Sequence, residues 1–413
     1  MTKLTAISLF TGAGGLDYGF EAAGFRTAVA LEINARCCDT LRRNRPWTII
    51  ESDIAAVPTE ELLSKANLAP GQADVLIGGP PCQPFSKSGF WVTGSAKRLD
   101  DPRATTLDGY LRVLAEARPR AFLLENVEGL RFRGKDEGLQ LIEARLAAIN
   151  REYGTRYTAS IATVNAAHYG VPQHRQRVLV VGSREGTPFK FPARTHIDPC
   201  EADWADNRPR YLRAWDALHD LPPSVDEATH VKGKWAELLP AIPEGSNYLW
   251  HTDRGGGEPL FGWRRRYWSF LLKLAKDRPS WTIQAQPGPA TGPFHWDNRR
   301  LTMREMARLQ TFPDDVEVAG NLSEAQLQLG NAVPPLLAEV IARAIAAQIL
   351  NRPMKGDAPL LALHAAPVAP PPPRSPAPVP SRFLSFRGPH SAHPGTGKGT
   401  RASAREKTLT AAE

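Results

Sequence analysis

The sequence predicts a Rossmann-like α/β fold joined to a smaller, irregular domain, and three observations support this prediction. Short apolar runs alternate with helix-length segments from residue 4 to residue 186, as in a buried parallel sheet with crossover helices. This alternation stops between residues 189 and 296, where Pro and Gly are scattered and eight of the ten Trp occur. Two helical patterns then return before a Pro-rich end.

The predicted strands are short apolar runs bounded by turn-forming or polar residues. They are Ala6–Phe10, Ala28–Leu31, Val75–Ile77, Ala121–Leu124 and Val178–Val181. The predicted helices are Thr106–Ala117, Leu139–Tyr153, Thr302–Gln310 and, approximately, Pro335–Leu350. We therefore divide the chain into a first α/β part (1–188), an irregular domain (189–296), a returning α/β part (297–350) and a tail (351–413).

The tail is rich in Pro, Ala, Ser and Arg, and Val368–Arg382 reads VAPPPPRSPAPVPSR. Such a composition buries too little apolar area to fold by itself. We expect a disordered segment with polyproline II character.

Positive charge is concentrated in two places. The net charge is +8, and both the tail and the stretch Arg254–Arg300 carry nine Lys/Arg against three Asp/Glu. A local basic patch within a folded region favours a nucleic-acid partner more strongly than the overall charge does.

The sequence gives no sign of a membrane span, a secretory signal or a disulfide framework. No apolar run approaches the ~18 residues that a span needs, and the N-terminal MTKLTAISLF leads directly into the first strand. The four cysteines (Cys37, Cys38, Cys82 and Cys200) are irregularly spaced, without a CxxC pair that would suggest zinc. We expect a cytoplasmic protein without a metal.

A glycine-rich turn follows the first strand in SLFTGAGGLDYGF (Ser8–Phe20). Glycines permit close approach of the backbone to a ligand, and the next helix begins there. Glu32 ends the second strand, where a carboxylate can accept hydrogen bonds from ribose hydroxyls. Asp17 occupies the third glycine position of GxGxxG, which favours an adenosine ligand without a pyrophosphate. A purely structural turn is the alternative.

Two further strand ends carry reactive groups. In VLIGGPPCQPFSKS (Val75–Ser88), a Gly-Gly-Pro-Pro turn places Cys82 just beyond a strand. A thiol there acts as a nucleophile if nearby charge or amide donors lower its pKa. In LLENVEGL (Leu123–Leu130), Glu125 and Asn126 end another strand. Because ligands bind at the carboxyl edge of such sheets, we expect these groups in one cleft.

These motifs and three later ones make residues 4–350 resemble the DNA (cytosine-5)-methyltransferase family. The motifs occur in the family's order: the glycine loop, GPPCQPFS, ENV, HYGVPQHRQRVLVVG (His168–Gly182), RRLTMREMARLQTFPDD (Arg299–Asp315) and LGNAVPP (Leu329–Pro335). The resemblance implies a methyltransferase sheet that uses S-adenosyl-L-methionine, with residues 189–296 as its target-recognition domain.

The resemblance also implies a mechanism. The Cys82 thiolate adds to C6 of a flipped cytosine, and Glu125 hydrogen-bonds the exocyclic amine and N3. Arg177 faces the cytosine O2, while Arg175 orients the thiolate and a DNA phosphate. Among residues implied for cofactor binding, Phe10 stacks near the adenine, Glu32 binds the ribose, and Asp53 with Ile54 binds the adenine. The remaining implied cofactor residues are Gly12, Ala13, Gly15, Ile33, Pro81, Leu107, Asn331, Ala332 and Val333.

Double-stranded DNA is the expected partner. The segment Ser86–Pro102 is interpreted as a loop that closes over the base, with Ser86 and Ser88 contacting DNA. In the recognition domain, WRRRYW (Trp263–Trp268) and Ser280–Trp296 are the candidate contact segments. Their predicted DNA-binding residues are Arg264, Arg265, Arg266 and Gln284, since Arg and Gln bind phosphates and base edges.

Two other functions remain open. The tRNA-modifying relatives share PPCQP and ENV, although they usually carry a Cys-Phe-Thr signature and this chain has no Cys-Phe pair. A non-catalytic DNA-binding protein on the same scaffold would not need an intact set of Cys82, Glu125 and Arg177. For the biological role, we expect a monomer that associates with the nucleoid through DNA. It would protect host DNA against a restriction endonuclease encoded nearby, with a solitary or phage methyltransferase as the alternative.

Overall fold

Seven strands form one mixed sheet in the order β3-β2-β1-β4-β5-β7-β6. The structure is a computed structural model that describes residues 3–81, 104–126, 137–203, 206–262, 268–354, 356 and 358–387. The strands are β1 (Leu4–Leu9), β2 (Phe25–Glu32), β3 (Ile49–Glu51), β4 (Val75–Gly78), β5 (Ala121–Asn126), β6 (Thr158–Asn165) and β7 (Gln176–Ser183).

The five predicted strands are present, but the last of them runs in the opposite direction to that expected. β1 to β5 pair in parallel, whereas β7 is antiparallel to both β5 and β6. Only residues 166–175 connect β6 to β7, and a parallel crossover needs a longer connection. The prediction of a wholly parallel sheet was therefore wrong for β7, which is antiparallel to its two neighbours. β6 was not predicted because its sequence, TASIATVN, is short of large apolar residues.

Helices cover both faces of the sheet. They are α1 (Gly15–Ala22), α2 (Ala35–Asn44), α3 (Thr59–Ala66), α4 (Ala104–Ala117), α5 (Glu137–Tyr153), α6 (Ala214–Leu218), α7 (Met303–Leu309), α8 (Leu322–Asn331) and α9 (Pro335–Gln348). One apolar cluster joins α1 and α9 to the sheet, and a second joins α3, α4 and α5 to it. In the described residues, Leu322–Gln348 is the one helical stretch apolar enough to cross a membrane, and 83% of that window is buried inside the protein.

Residues 189–296 are irregular, as predicted; we call them the recognition region, after the role that the family resemblance implies. Within the described residues of 189–296, regular structure consists of α6 and the 3₁₀ helices Glu227–Thr229, Ala236–Ala241 and Tyr248–His251. This region has its own apolar core, formed around Leu238, Ile242, Leu260 and Leu271.

The predicted disordered tail differs from the structure over residues 358–387. This segment lies on the rest of the protein and contains a 3₁₀ helix, Ser381–Phe386. Phe383 is only 2% exposed, in the core of the recognition region. Residues 358–387 build no core of their own. Their apolar groups instead pack into cores formed by residues far away in the sequence, which composition does not reveal.

Candidate active site

The carboxyl ends of four strands meet at one edge of the sheet. β1 and β4 are neighbours, while β2 and β5 extend the sheet in opposite directions from them. A cleft opens at such a reversal in strand order. Phe10 follows β1, Glu32 ends β2, and Glu125 lies at the end of β5. The fold therefore brings these predicted site residues to the same edge.

The glycine loop is held in shape by Glu32. The Glu32 carboxylate accepts hydrogen bonds from the backbone N–H of Gly12 (2.7 Å) and of Asn34 (2.8 Å), and it is largely buried. Phe10 and Gly12 have φ values of 54° and 56°, a left-handed conformation that is uncommon for residues other than glycine. The chain thus turns sharply after β1 and leads into α1 beside an acidic group.

Ala332 and Val333 lie against this loop. A Cβ on Gly15 would stand 2.2 Å from the carbonyl oxygen of Val333 and 3.3 Å from Cβ of Ala332. Glycine is therefore required at position 15 for the two segments to touch. Ala13, Ala332 and Val333 are buried, whereas Asn331 is exposed.

An apolar cluster lies beside the loop. Phe10 packs on the cluster that contains the buried Ile54 and Leu107, and Thr106 donates a hydrogen bond to the carbonyl oxygen of Pro81 (3.3 Å). Phe10, Ile54 and Leu107 therefore belong to one apolar cluster, and Pro81 contacts the residue before Leu107.

Two predicted residues are exposed at the rim. Ile33 is 64% exposed, unusually for a large apolar side chain. Asp53 is also exposed, and its Oδ1 accepts a hydrogen bond from the Ala55 N–H (2.9 Å). Across the described ranges, no group of three or more His, Cys, Asp or Glu side chains could hold a metal ion.

Asp17 lies buried beneath the loop, and sequence reasoning assigned it no role beyond breaking a glycine motif. Its carboxyl oxygens accept hydrogen bonds from the hydroxyls of Ser8 and Thr27, both 2.9 Å. Burial raises the pKa of Asp17 to about 7, partly offset by these two hydrogen bonds. The carboxyl group connects β1, α1 and β2 just below the glycine turn.

The Gly-Gly-Pro-Pro turn passes directly over Glu125. A Cβ on Gly79 would stand 2.9 Å from Oε2 of Glu125, so a side chain at this position would displace the Glu125 carboxylate. Nδ2 of Asn126 donates a hydrogen bond to the Pro80 carbonyl oxygen (3.4 Å). The turn is thereby held beside β5. Cys82, three residues after Gly79, lies outside the described residues.

Arg177 pairs with Glu125. Its Nε lies 2.6 Å from Glu125 Oε1, and the side chains are 12% and 11% exposed. Nη1 of Arg177 also donates to the Gln176 carbonyl oxygen (2.7 Å). The antiparallel register produces this pair: Asn126 faces Val178, which leaves Arg177 just beyond the end of β5. The two residues predicted to contact the base are therefore in contact with each other.

Arg175 occupies a different environment. The side chain is fully buried, and its guanidinium donates to the carbonyl oxygens of Ile283 (3.4 Å) and Gly330 (2.6 Å). Burial, followed by the charge of Arg177, lowers the pKa of Arg175 below its usual range. The predicted contact between Arg175 and a DNA phosphate disagrees with this burial. Arg175 instead joins the end of the recognition region to the returning α/β part.

The predicted DNA-contacting residues are only partly described. Ser86, Ser88, Arg264, Arg265 and Arg266 lie outside the described residues. Gln284 is half-buried, and its carbonyl oxygen accepts a hydrogen bond from the Gln326 side chain on α8 (3.3 Å). This contact places Gln284 where the recognition region meets α8.

A cationic cavity next to Gln326 was missed by sequence reasoning. The cavity measures about 340 Å³ and lies between the recognition region and α8, with His230, Lys232 and Arg300 among its lining residues. Arg300 donates from Nη2 to Gln326 Oε1 (2.8 Å), and no Asp or Glu is among the described lining residues. Arg300 ends the basic stretch noted in the sequence, so charge alone could have identified it.

The chain matches known proteins over most of its length. Residues 4–347 match the family model for C-5 cytosine-specific DNA methylase. The Type II methyltransferase M.SacI of Streptomyces achromogenes is 43% identical over 372 residues, which cover 84% of this chain and 94% of M.SacI. The Type II methyltransferase M.NgoFVII of Neisseria gonorrhoeae is 33% identical over 338 residues, covering 81% of this chain and 84% of M.NgoFVII.

A solved structure supports the fold. The crystal structure described as a DNA modification methyltransferase encoded within an E. coli prophage superposes with a TM-score of 0.62 at 22% identity, covering 84% of this chain and 100% of that chain. Together with the family match and the sequence relatives, these findings establish that the chain belongs to the C-5 cytosine-specific DNA methylase family and is a DNA (cytosine-5)-methyltransferase.

Proposed function

We propose that this enzyme methylates C5 of a cytosine flipped out of double-stranded DNA, through a covalent adduct with Cys82. One observation carries the proposal: the Glu125–Arg177 pair lies directly under the turn that leads to Cys82. A base at this point would meet a carboxylate and a guanidinium, and the proposal assigns the attacking thiol to Cys82, the residue that follows this turn in the sequence.

S-adenosyl-L-methionine fits the other half of the cleft as methyl donor. A Cβ on Gly12 would meet no atom within 4 Å, so the loop leaves room beside Glu32. The exposed Ile33 offers an apolar surface, Asp53 is exposed as well, and Ile54 is buried in the neighbouring apolar cluster. In this proposal Glu32 binds the ribose, Ile33, Asp53 and Ile54 contact the adenine, and the glycine loop surrounds the methionine end. When bound, the cofactor supplies an electrophilic methyl group.

Cytosine C5 is too weak a nucleophile to accept that methyl group without activation. The Cys82 thiolate adds to C6, forming an S–C bond and moving the ring electrons toward C5. Glu125 hydrogen-bonds the exocyclic amine and N3, and Arg177 stabilises negative charge developing on O2. After C5 is methylated, loss of the C5 proton to a base drives elimination of the thiolate and restores the aromatic ring.

Arg175 acts in this proposal as a positioning residue. Because it cross-links the segments at Ile283 and Gly330, it holds the neighbouring Gln176–Arg177 backbone against both. Loss of Arg175 would displace the Arg177 guanidinium without removing a group that touches the base.

DNA binding is supported by the cationic cavity. Lys and Arg side chains contact phosphates and release counterions, which gives salt-dependent affinity. Arg300 and Lys232 line the cavity, and Gln284 lies at the same junction. A reacting base must leave the duplex because its C6 face is otherwise stacked.

For the biological role, we propose a protecting methyltransferase of a restriction–modification system. Its sequence relatives are named Type II methyltransferases. The enzyme would act as a monomer in the cytoplasm, on the DNA of the nucleoid, together with an endonuclease encoded nearby. The absence of an endonuclease gene beside it would favour a solitary or phage enzyme instead.

Tritium transfer from labelled cofactor to duplex DNA, with tRNA in parallel, tests the reaction. We expect transfer to DNA, abolished in Cys82→Ser and unchanged in Cys200→Ser, whose cysteine is exposed and lies in the region 189–296. Cofactor affinity should stay within about twofold in Cys82→Ser because the glycine loop is a separate site. Transfer to tRNA alone would assign the enzyme to RNA. Absence of transfer to either, with the cofactor bound, would indicate a non-catalytic scaffold.

Bisulfite sequencing of the methylated DNA then identifies the target. We expect methylation confined to a short, GC-containing palindrome. Methylation scattered over unrelated contexts would contradict sequence-specific recognition.

A further inference from the structure

The C-terminal segment 358–387 connects the two parts of the enzyme. The recognition region is inserted between residues 188 and 297, so two chain connections already join it to the α/β part. After α9, the chain crosses back from the α/β part to the recognition region. We call residues 358–387 the strap.

The first end of the strap is anchored on α9. The fully buried Glu339 accepts hydrogen bonds from the backbone N–H of Leu360 (2.6 Å) and of Leu361 (2.8 Å). The same carboxylate pairs with Arg343 at 2.9 Å. A buried carboxylate that is satisfied by the strap backbone would lose these partners if the strap detached, at a high energetic cost.

The middle of the strap crosses α6. The Ala366 N–H donates to Asp216 Oδ1 (2.9 Å), and the Trp215 indole donates to the Val368 carbonyl oxygen (2.8 Å). Prolines dominate the following residues, and such a sequence is stiff and extended rather than coiled. The strap therefore acts as a short spacer of restricted length.

The far end of the strap completes the core of the recognition region. Phe383 is 2% exposed and stacks on Trp235, with ring centroids 5.7 Å apart and planes at 18°. Phe386 contacts the same Trp235 at 5.5 Å between ring centroids. The Ala377 N–H donates to the Pro240 carbonyl oxygen (2.9 Å).

We propose that the strap holds the recognition region in one orientation over the α/β part, and that Phe383 is a positioning residue for DNA binding. The proposal rests on the DNA-binding role given to the junction above. With both ends of the strap attached, the two parts cannot separate without exposing Phe383 or breaking the Glu339 contacts. The free enzyme is thus pre-organised, so less conformational freedom is lost when DNA binds.

The test compares Phe383→Ala with Phe383→Leu and with Ser381→Ala, an exposed position in the same 3₁₀ helix. The probe is a plasmid duplex that the wild-type protein binds, and its Kd is measured alongside the Kd of S-adenosyl-L-methionine and the kcat. We expect the DNA Kd and KM to rise about fivefold or more in Phe383→Ala, the lower end of typical coupling between sites. The cofactor Kd and the kcat at saturating DNA should stay within about twofold. Phe383→Leu should recover most of the DNA affinity, and Ser381→Ala should match wild type.

Two C-terminally truncated proteins provide an independent comparison. A chain ending at Arg387 retains the strap and should bind DNA like the full chain, whereas a chain ending at Gly356 should lose affinity like Phe383→Ala. The proposal is overturned if Phe383→Ala leaves the DNA Kd unchanged, or if it weakens cofactor and DNA binding equally, as general unfolding would. Because DNA affinity is measured without turnover, a wild-type protein that fails to methylate would count against the proposed function and not against the strap.

Discussion

The Nε atom of Arg177 lies 2.6 Å from Oε1 of Glu125, with both side chains almost withdrawn from solvent. In the proposed mechanism, the contact joins two groups that bind neighbouring atoms of cytosine: Glu125 binds N3 and the exocyclic amine, and Arg177 binds O2. Each is therefore held in place before the base arrives. Preorganised charges of this kind need little rearrangement during a reaction.

Replacement of Glu125 by Gln should slow methyl transfer by about 10²- to 10³-fold, the usual scale for loss of a positioned catalytic group. Gln keeps the shape but loses both the charge opposite Arg177 and the ability to share a proton with N3. Single-turnover rates at saturating DNA measure the effect. Glu116→Gln, which alters an exposed helical ion pair, is the matched control. Equal rates in the two variants would contradict a role for Glu125 in the chemical step.

Replacement of Glu32 by Gln should weaken cofactor binding about tenfold, in line with loss of charge-assisted hydrogen bonds worth roughly 1.5–3 kcal/mol. The carboxylate now accepts from both the Gly12 and the Asn34 N–H. An amide can offer only one oxygen, and its NH₂ would face a backbone donor.

Equilibrium binding of S-adenosyl-L-methionine tests this change, with Glu51→Gln at an exposed carboxylate on β3 as control. DNA affinity should be unaffected in both variants. A similar loss of cofactor affinity in the control would indicate a general charge effect.

Replacement of Arg300 by Ala should weaken DNA binding and lower its salt dependence. Each phosphate contact contributes about 0.9 to the slope of log K against log salt concentration, so the slope should fall by about one unit. Binding titrations at several salt concentrations measure it. Arg156→Ala, at an exposed surface pair, should leave the slope unchanged. An unaltered slope in Arg300→Ala would exclude a phosphate contact.

Asp17 should make the enzyme less stable as the pH rises from about 4 to about 7. Its pKa is raised from 3.8 to about 7 by burial, so the folded state binds a proton that the unfolded state has released. The stabilisation is complete below the unfolded pKa and is lost as the pH passes through the folded pKa. Each pKa unit corresponds to about 1.4 kcal/mol.

Denaturant unfolding of the wild-type protein and of Asp17→Asn between pH 4.5 and pH 8 tests this expectation. The variant cannot ionise, so its profile should be flatter, and its stability relative to wild type should be most favourable at pH 8. Parallel profiles would contradict a buried proton on Asp17.

The residues at the carboxyl ends of the strands could be predicted from the sequence because strand ends have a local sequence pattern. An apolar run followed by Gly or by a single carboxylate, as at Glu32 and Glu125, needs no knowledge of distant residues. The pairing of Arg177 with Glu125 had no such signature. It depends on the antiparallel direction of β7, which follows from a connection too short for a crossover.

The strap was not predictable for a related reason. Composition correctly indicates that residues 358–387 cannot form a core alone. It says nothing of a cavity elsewhere that accepts Phe383, because that cavity is built by Trp235 and its neighbours in another part of the chain. The burial of Arg175 was hidden in the same way, since its partners are backbone carbonyl groups more than 100 residues away.

Arg175 has a consequence for exchanging target specificity between relatives. Its guanidinium bonds to Ile283 at the end of the recognition region and to Gly330 at the end of α8. If a recognition region taken from a relative included the position of Ile283, the fully buried Arg175 would have to bond to a foreign backbone. Chimeras joined upstream of Ile283, with native residues from there to Gly330, should fold more reliably than those joined at the apparent domain boundary near residue 296.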